Sequence, residues 1–306
     1  MISLNSKPNR DTSNGFEHPV GKLILLGTPI GNLSDLSERA IQVLAAADVI
    51  AAEDTRRLRV LLSHCHITGK NIISIDSNKE VQMSSKVLEL ISSGKTVVYT
   101  TDAGMPGISD PGGELINAVA EAGLPVDAVP GPSAAILAAS MSGLCEHGFS
   151  FVGFLPVKSG PRKKSLENLS SGGFAVILFE SPKRVGQTLH DVLEVYGRDH
   201  PVFVGRELTK MHQEIFFGDV AGAFEHFGGD PQRGEFVMVL GANEVDESGS
   251  LGLRTLELVM EALSGTGAGT RALAEELSEI TGVGKNRIYN MLIQAQGKAA
   301  ETSVRL

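Results

Sequence analysis

The chain has 306 residues, of which 42% are hydrophobic, and its mean hydropathy is +0.06. This length allows roughly two domains of ~150 residues, and the longest apolar runs fall far short of the ~20 residues that cross a bilayer. The formal net charge of −9 excludes indiscriminate binding to polyanions, because phosphate contacts need clustered Lys and Arg.

The first half of the chain alternates compact apolar runs with amphipathic stretches. Residues 1–20 are polar, and we expect a disordered tail without a secretory signal and hence a cytoplasmic protein. Predicted strands lie at 22–28, 49–52, 72–75, 96–101 and 126–129. Predicted helices begin at a capping box at 35–38 and lie at 55–62, 79–92, 113–122 and 133–141. This alternation predicts an α/β fold with a mainly parallel sheet covered on both faces.

In the second half the predicted strands and helices are spaced differently. Predicted strands lie at 149–155, 175–179, 202–206, 214–217 and 235–240, with helices at 162–169 and 182–196. Closely spaced strands around Lys210 predict a hairpin and therefore a mixed sheet. We accordingly divide the chain into a tail at 1–20, an N-terminal α/β domain at 21–135, a C-terminal α/β domain at 136–243, a linker at 244–252 and a helical domain at 253–306.

The helical domain resembles a helix-turn-helix. Helices are predicted at 253–263, 271–280 and 285–296, joined by Gly-rich turns, and the last carries Lys285 and Arg287 as candidate contacts to RNA. Six basic and six acidic residues from position 251 onward give no net attraction to phosphate. A packing or dimerisation appendage explains the same periodicity.

Five short segments combine Gly, Pro or clustered charge, and three of them follow predicted strands. They are GTPIGN at 27–32, EDTR at 53–56, TDAGMP at 101–106, PGPSA at 130–134 and RELTK at 206–210. Open α/β sheets bind small ligands at the carboxyl ends of their strands, and Gly lets the backbone approach a ligand closely. GTPIGN matches neither a P-loop nor GxGxxG, so a nucleoside triphosphate site is not predicted.

Together with GFLP, KSGPRKK, FESPKR and GEFVMVLG, these segments give a series that covers roughly residues 22–300. The series resembles the ribosomal RNA small subunit methyltransferase I family of the tetrapyrrole methylase superfamily. The resemblance implies two α/β domains with a cleft for S-adenosylmethionine between them, and usually a homodimer. It implies methylation of the ribose 2′-hydroxyl of a cytidine in the decoding region of 16S rRNA. The acidic balance of the chain favours the assembled 30S subunit over free RNA as the substrate.

The cofactor-side residues come from the loops at the strand ends and from the second domain. The resemblance implies that the cofactor-binding residues are Thr28, Pro29, Gly31, Asp102, Gly104, Met105, Pro106, Ser133, Ala134 and Phe179. A plain strand-to-helix turn would also explain the Gly-Pro loop, a turn cap would explain Asp102, and an N-cap would explain Ser133.

Methyl transfer from a sulfonium donor is an in-line displacement that needs positioning and a place for the hydroxyl proton. Glu53, Asp54 and Lys183 are the catalytic candidates, although the helix dipole and structural salt bridges explain such charged clusters equally well. The residues alone do not identify a general base. Neither Cys65 nor Cys145 has the partners of a zinc site, so no metal is expected.

Contacts to RNA are predicted for Arg56 and for the strongest basic run, Arg162, Lys163 and Lys164, which lies beside a Gly-Pro loop. A solvated helix face is the alternative for that run. Two other functions also stay open: a methyltransferase of this fold that acts on a small molecule such as a tetrapyrrole, and a non-catalytic RNA-binding assembly factor.

Overall fold

The computed structural model describes residues 21–75, 80–229, 232–243 and 269–281, together with residues 285, 288, 289, 292 and 293. Two compact units are distinguished. The first contains Met1–Leu166 and Ala175–Gly241, and the second contains Glu167–Phe174 and Ala242–Leu306. The predicted tail at 1–20, the linker at 244–252 and the helix at 253–263 lie outside the described residues. Within the described residues no helix is long and apolar enough to cross a membrane.

The first sheet is entirely parallel and has the strand order β3-β2-β4-β1-β5. Its strands are β1 (Lys22–Leu26), β2 (Val49–Ala52), β3 (Asn71–Ser74), β4 (Thr96–Thr100) and β5 (Val126–Val129). All four residues of β2 are buried, as is typical of a parallel strand covered on both faces. The five strands predicted for the first half are therefore confirmed.

Four helices cover the two faces of this sheet: α1 (Glu38–Ala46), α2 (Thr55–His64), α3 (Glu80–Ser92) and α4 (Gly113–Glu121). On one face Leu44 of α1 and Leu61 of α2 pack with Ile50 of β2. On the other face Ile91 of α3 and Leu115 of α4 pack in a separate apolar cluster. Each such side chain stabilises the fold by about 1.5–3 kcal/mol when it leaves water.

The start of α1 differs from the prediction. Ser37, not Asp35, is the N-cap, and its hydroxyl accepts a hydrogen bond from the Ala40 N–H at 3.1 Å. Asp35 instead ends a short 3-10 helix, Leu33–Asp35. The capping box prediction was wrong by two positions because the sequence offers two acceptable capping residues in succession.

The second sheet is mixed, with the strand order β6-β7-β10-β8-β9. Its strands are β6 (Phe149–Phe154), β7 (Ala175–Glu180), β8 (Pro201–Arg206), β9 (Glu214–Asp219) and β10 (Phe236–Leu240). Only β6 and β7 pair in parallel, and β8 and β9 form the predicted antiparallel hairpin. The prediction of a mixed sheet is confirmed.

Helix α5 (Ala134–Ser142) packs on this second sheet, where Ala135, Ala138 and Ala139 pack in one cluster with β7, β8 and β10. The small side chains allow the helix to lie close to the strands. Helices α6 (Ser159–Ser170), α7 (Val185–Tyr196) and α8 (Val220–Phe227) complete the second half. The sequence analysis missed α8, which is a short helix containing Gly222.

The second compact unit contains helix α9 (Thr270–Thr281), which agrees with the helix predicted at 271–280. Ala274, Ile288 and Leu292 form a small buried cluster there, with Leu277 and Tyr289 packed against it. The predicted turn at 281–284 and most of the predicted helix at 285–296 lie outside the described residues, so the helix-turn-helix stays a prediction.

Candidate active site

The loops that follow β1 and β4 are joined directly. Thr28 and Gly104 form an isolated bridge in which the Thr28 N–H donates to the Gly104 carbonyl at 2.9 Å and the Gly104 N–H donates to the Thr28 carbonyl at 3.0 Å. The hydroxyl of Thr28 donates to the carbonyl oxygen of Thr101 at 3.1 Å. The GTPIGN and TDAGMP segments therefore form one structure at the carboxyl edge of the first sheet.

Glycine is required where two further loops approach. A Cβ atom on Gly27 would lie 2.6 Å from the Cα atom of Gly131, in the PGPSA segment after β5. A Cβ atom on Gly31 would lie 2.5 Å from Thr209 Oγ1 and 2.5 Å from Lys210 Cγ. The loops after β1 and β5 are thus in backbone contact, and the GTPIGN segment also contacts the RELTK segment that follows β8.

The predicted cofactor residues occupy this gathered set of loops and the facing strand. Thr28, Pro29, Gly104 and Pro106 are buried, whereas Asp102 and Met105 are half-buried. Ser133 is the N-cap of α5, and its hydroxyl accepts from the Ile136 N–H at 3.5 Å, which leaves Ala134 as the first residue of the helix. Gly31 is exposed. Contact of these residues with a methyl donor stays a prediction.

Phe179 lies near the end of β7 in a small group of aromatic rings. Its ring centroid is 4.9 Å from that of Phe151 and 5.9 Å from that of Phe154, both in edge-to-face geometry. Phe154 is 57% exposed, so one side of this group faces solvent. Such an arrangement provides an apolar surface on which a flat heterocycle can stack.

The catalytic candidates Glu53 and Asp54 differ in environment. Glu53 accepts the Asp102 N–H at 3.4 Å, and burial raises the pKa of its carboxyl above the usual range against the opposing effect of that hydrogen bond. Hydrogen bonds from the Arg56 side chain and backbone lower the pKa of Asp54 to about 2. Asp54 is also the N-cap of α2. Glu53 is therefore the better proton acceptor of the two.

Arg56 and Arg57, in the first turn of α2, are engaged by carboxylates. Arg56 Nη2 lies 2.7 Å from Asp54 Oδ2, although the side chain is 86% exposed. Arg57 Nε lies 3.3 Å from Asp102 Oδ2 and is 64% exposed. Both guanidinium groups keep donors that point away from these pairs, because a guanidinium carries five N–H groups. Contact of Arg56 with a phosphate stays a prediction.

A pocket of about 240 Å³ opens between the loop after β1, the start of α2 and the end of β4. Thr28, Ala52, Leu61 and Asp102 are among the residues that line it. Sites for drug-sized ligands typically measure ~300–1,000 Å³. This pocket is therefore suited to one part of a ligand and not to a whole nucleoside donor.

Asp110 is a functional candidate that the sequence analysis missed. Burial, and after it the charges of Glu53, Asp102 and Glu235, raise the pKa of its carboxyl to about 6. These three carboxylates lie on different elements: the end of β2, the end of β4 and the residue before β10. The only signal in the sequence was the position of Asp110 inside the DAGMPGISDPG segment.

The charged side chains in the second half of the chain largely form ion pairs with one another. Glu180 is 2% exposed and accepts hydrogen bonds from Arg184 Nε and Thr188 Oγ1, each at 2.7 Å. Lys210 Nζ lies 2.8 Å from both Glu207 Oε1 and Glu235 Oε2. The structural alternative thus accounts for much of this charge. The catalytic candidate Lys183 is exposed on the turn before α7.

The predicted contact of Arg162 with RNA was wrong. Arg162 is 2% exposed, its Nε donates to Asp191 Oδ2 at 2.6 Å and its Nη1 donates to the Val157 carbonyl at 2.9 Å. A buried guanidinium with these partners is not accessible to a phosphate. Lys163 is ion-paired with Asp191 and Glu194 of α7, whereas Lys164 is exposed.

In the second unit, Lys285 Nζ lies 2.8 Å from Glu275 Oε2 of α9, and this pair lowers the pKa of Glu275. Arg287 lies outside the described residues. Contacts of Lys285 and Arg287 with RNA therefore stay predictions.

Comparison with known proteins gives the family. The sequence profile described as Tetrapyrrole (Corrin/Porphyrin) Methylases matches residues 22–223. Over 225 residues the chain is 44% identical to the ribosomal RNA small subunit methyltransferase I of Thermotoga maritima, which covers 74% of this chain and 100% of the relative. The chain belongs to this methyltransferase family. The ribosomal RNA small subunit methyltransferase I of Escherichia coli O157:H7 is 36% identical over 281 residues, covering 90% of this chain and 96% of the relative.

Solved structures of tetrapyrrole methylases have the same fold. A cobalt precorrin-4 methyltransferase, CbiF, aligns with a TM-score of 0.56 at 19% identity, covering 72% of this chain and 94% of that chain. A uroporphyrin-III C-methyltransferase from Thermus thermophilus, complexed with S-adenosyl homocysteine, aligns with a TM-score of 0.52 at 21% identity, covering 74% of this chain and 98% of that chain. The predicted α/β architecture of tetrapyrrole methylase type and the assignment as a methyltransferase are confirmed.

Proposed function

We propose that the chain transfers a methyl group from S-adenosylmethionine to the ribose 2′-oxygen of a cytidine in the decoding region of 16S rRNA. The observation that carries the proposal is the 44% identity to a ribosomal RNA methyltransferase over that relative's whole length. The proposal includes the assembled 30S subunit as substrate, a homodimer and a cytoplasmic location, of which the homodimer rests on the resemblance alone.

The chemistry of the gathered loops fits such a donor. A sulfonium donor carries a cation, an amino acid end and an adenine ring, and when bound it supplies an electrophilic methyl group. Asp102 and the carbonyl groups near the Thr28–Gly104 bridge suit the cationic parts. The amino end of α5 at Ser133 suits a carboxylate, and the apolar ring group around Phe179 suits adenine.

The protein's contribution to the reaction is chiefly positioning. Gly27 and Gly131 let two loops meet at backbone distance, and the Thr28–Gly104 bridge fixes a third loop against them. An acceptor oxygen held in line by such fixed loops gains up to ~7–11 kcal/mol over a free encounter in water. Two half-buried carboxylates at the same edge, Glu53 and Asp102, provide acceptors for hydrogen bonds from the ribose.

Recognition of RNA uses a small number of exposed cations in this proposal. Lys158 and Lys164 are exposed at the start of α6, and Arg57 is 64% exposed beside the pocket. Phe154, which is 57% exposed, lies at the end of β6 and offers a ring for stacking on an unpaired base. Because the chain carries a net charge of −9, we propose a preassembled particle and not free RNA as the substrate.

Transfer of tritiated methyl groups tests this proposal. The purified protein is incubated with labelled S-adenosylmethionine and 30S particles that lack the modification, with free 16S rRNA and a tetrapyrrole as parallel substrates. Label in the 30S particles, mapped to one cytidine of the decoding region, is the expected result. Label in the tetrapyrrole alone would favour the small-molecule alternative, for which the fold of CbiF is the supporting observation. Binding of RNA without any transfer would favour an assembly factor.

A further inference from the structure

The loop between β4 and α4 holds Asp110 in a fixed position. The Gly107 N–H donates to the Pro111 carbonyl at 3.1 Å, which closes a tight turn around Asp110. Ser109, directly before it, has a φ of +59°, a conformation that residues other than Gly adopt mainly where the surroundings enforce it. A Cβ atom on Gly112 would lie 2.9 Å from the ring of Tyr99, so the far end of the turn is also packed tightly.

This turn reaches from the first sheet to the second. The hydroxyl oxygen of Ser109 lies 2.9 Å from where a Cβ atom on Gly153 would be, and Gly153 lies at the irregularity in the pairing of β6 with β7. Asp110 therefore follows a residue in contact with β6, while its own chain leads back to the edge that carries Glu53 and Asp102. This is the place where the loops of both sheets meet.

Among the residues that the structure describes, no cation forms an ion pair with Asp110. The charged groups that face it are the carboxylates of Glu53, Asp102 and Glu235. Arg57 pairs with Asp102, and Lys210 pairs with Glu235. Within the described ranges of the chain, Asp110 has neither a hydrogen bond nor an ion pair from its side chain.

An independent feature lies beside this carboxylate. Tyr99 is fully buried, and its hydroxyl has no hydrogen-bond partner among the described residues. Burial is the main cause that raises the pKa of Tyr99, followed by the charges of Glu80, Glu53 and Asp110, so the hydroxyl lies in the field of Asp110 and of its neighbour Glu53. A buried donor without a hydrogen-bond partner is expensive for the fold and is typical of a functional site.

We propose that the carboxylate of Asp110 accepts the proton of the ribose 2′-hydroxyl during methyl transfer. The proposal rests on the function proposed above. As the oxygen–methyl bond forms, the sulfur–methyl bond breaks, its electron pair stays on sulfur, and the hydroxyl proton moves to Asp110. Glu53 and Asp102 keep the carboxylate basic, and Arg57 limits the total negative charge through its pair with Asp102.

A carboxylate with these neighbours suits the task. A general base works best when its pKa lies near the working pH, because it must be ionised and still take a proton readily. Asp110, with a pKa of about 6, is largely ionised at neutral pH and is a stronger base than an ordinary aspartate. Asp54, with a pKa of about 2 and an ion pair to Arg56, is much weaker.

The test is the single-turnover rate of methyl transfer to unmodified 30S particles. The rate is measured from about pH 5 to about pH 9, which brackets a carboxyl pKa of about 6. The variants are Asp110→Asn, Asp110→Glu and, as the matched control, Asp199→Asn, which changes an exposed aspartate on the turn before β8. Calorimetry with S-adenosylmethionine measures donor binding for each variant.

The wild-type rate should rise up to about pH 6 and then level off, and Asp199→Asn should follow it. Asp110→Asn should bind the donor normally but lose about 10²–10⁴-fold in rate, and its pH profile should no longer show the rise that levels off near the pKa of Asp110. Asp110→Glu should restore part of the rate. An Asp110→Asn rate within a factor of about ten of wild type would overturn the proposal. If the wild-type protein itself labels no 30S particles, the proposed function fails instead.

Discussion

The buried pair Arg162–Asp191 leads to the sharpest stability prediction. Their side chains are 2% and 4% exposed, and Asp191 also accepts a hydrogen bond from Ser159 Oγ at 2.9 Å. Asp191→Ala removes the carboxylate whose Oδ2 lies 2.6 Å from the Arg162 Nε and leaves a buried cation without this partner. Breaking a buried pair in this way costs about 3–5 kcal/mol.

Urea unfolding followed by circular dichroism measures this cost. With an m-value of about 2–3 kcal/mol per molar, the midpoint should fall by roughly 1–2.5 M urea in Asp191→Ala. Lys164→Ala, an exposed change on α6, the helix that carries Arg162, should alter stability by less than about 0.5 kcal/mol. The double variant Arg162→Met with Asp191→Leu should recover part of the loss, because apolar residues of similar volume replace such pairs well.

Equal midpoints for Asp191→Ala and Lys164→Ala would refute this reasoning and would return Arg162 to the list of residues free to contact RNA. The distinction matters for any test of RNA binding. A variant that removes Arg162 along with its basic neighbours would lose binding through partial unfolding, so it would not report on phosphate contacts.

Three further outcomes are expected. Gly27→Ala should weaken both stability and donor binding, since the new methyl group would lie 2.6 Å from Gly131 Cα, and thermal melts with and without S-adenosylmethionine measure this. Asp110→Asn should stabilise the protein at pH 8 by roughly 1–3 kcal/mol but not at pH 4: a raised folded-state pKa means that stability falls as pH rises from the unfolded to the folded pKa. A pH-independent effect in urea titrations would contradict it. Lys158→Ala with Lys164→Ala should reduce the salt dependence of particle binding by about two charges while donor binding stays unchanged.

The sequence predicts the frame of the first sheet well for a simple reason. Its three central strands, β1, β2 and β4, are short, largely buried runs rich in Val, Ile, Leu and Ala, and turn or helix signals separate them, so local pattern and tertiary role coincide there. The edge strands β3 and β5 are more exposed. The hairpin of β8 and β9 was equally visible from its spacing. Helix α8 was not, because Gly222 lies within its eight residues and local propensity gives little support to so short a helix.

The site was predictable only where its chemistry lies in the backbone. The Gly and Pro segments indicated which loops meet, and the contacts of Gly27 with Gly131 and of Gly31 with Thr209 agree with that interpretation. Side-chain roles depend on partners far along the chain. Arg162 resembled a surface cation until its partner, 29 residues away, was seen, and the neighbours of Asp110 come from three separate elements.

The central claim is that the acceptor is a ribose oxygen of ribosomal RNA. Its most direct test is digestion of 30S rRNA to nucleosides after transfer from tritiated S-adenosylmethionine, followed by chromatography against methylated standards. We predict that the label comigrates with 2′-O-methylcytidine. Label in a base-methylated nucleoside, or none in RNA at all, would contradict the account.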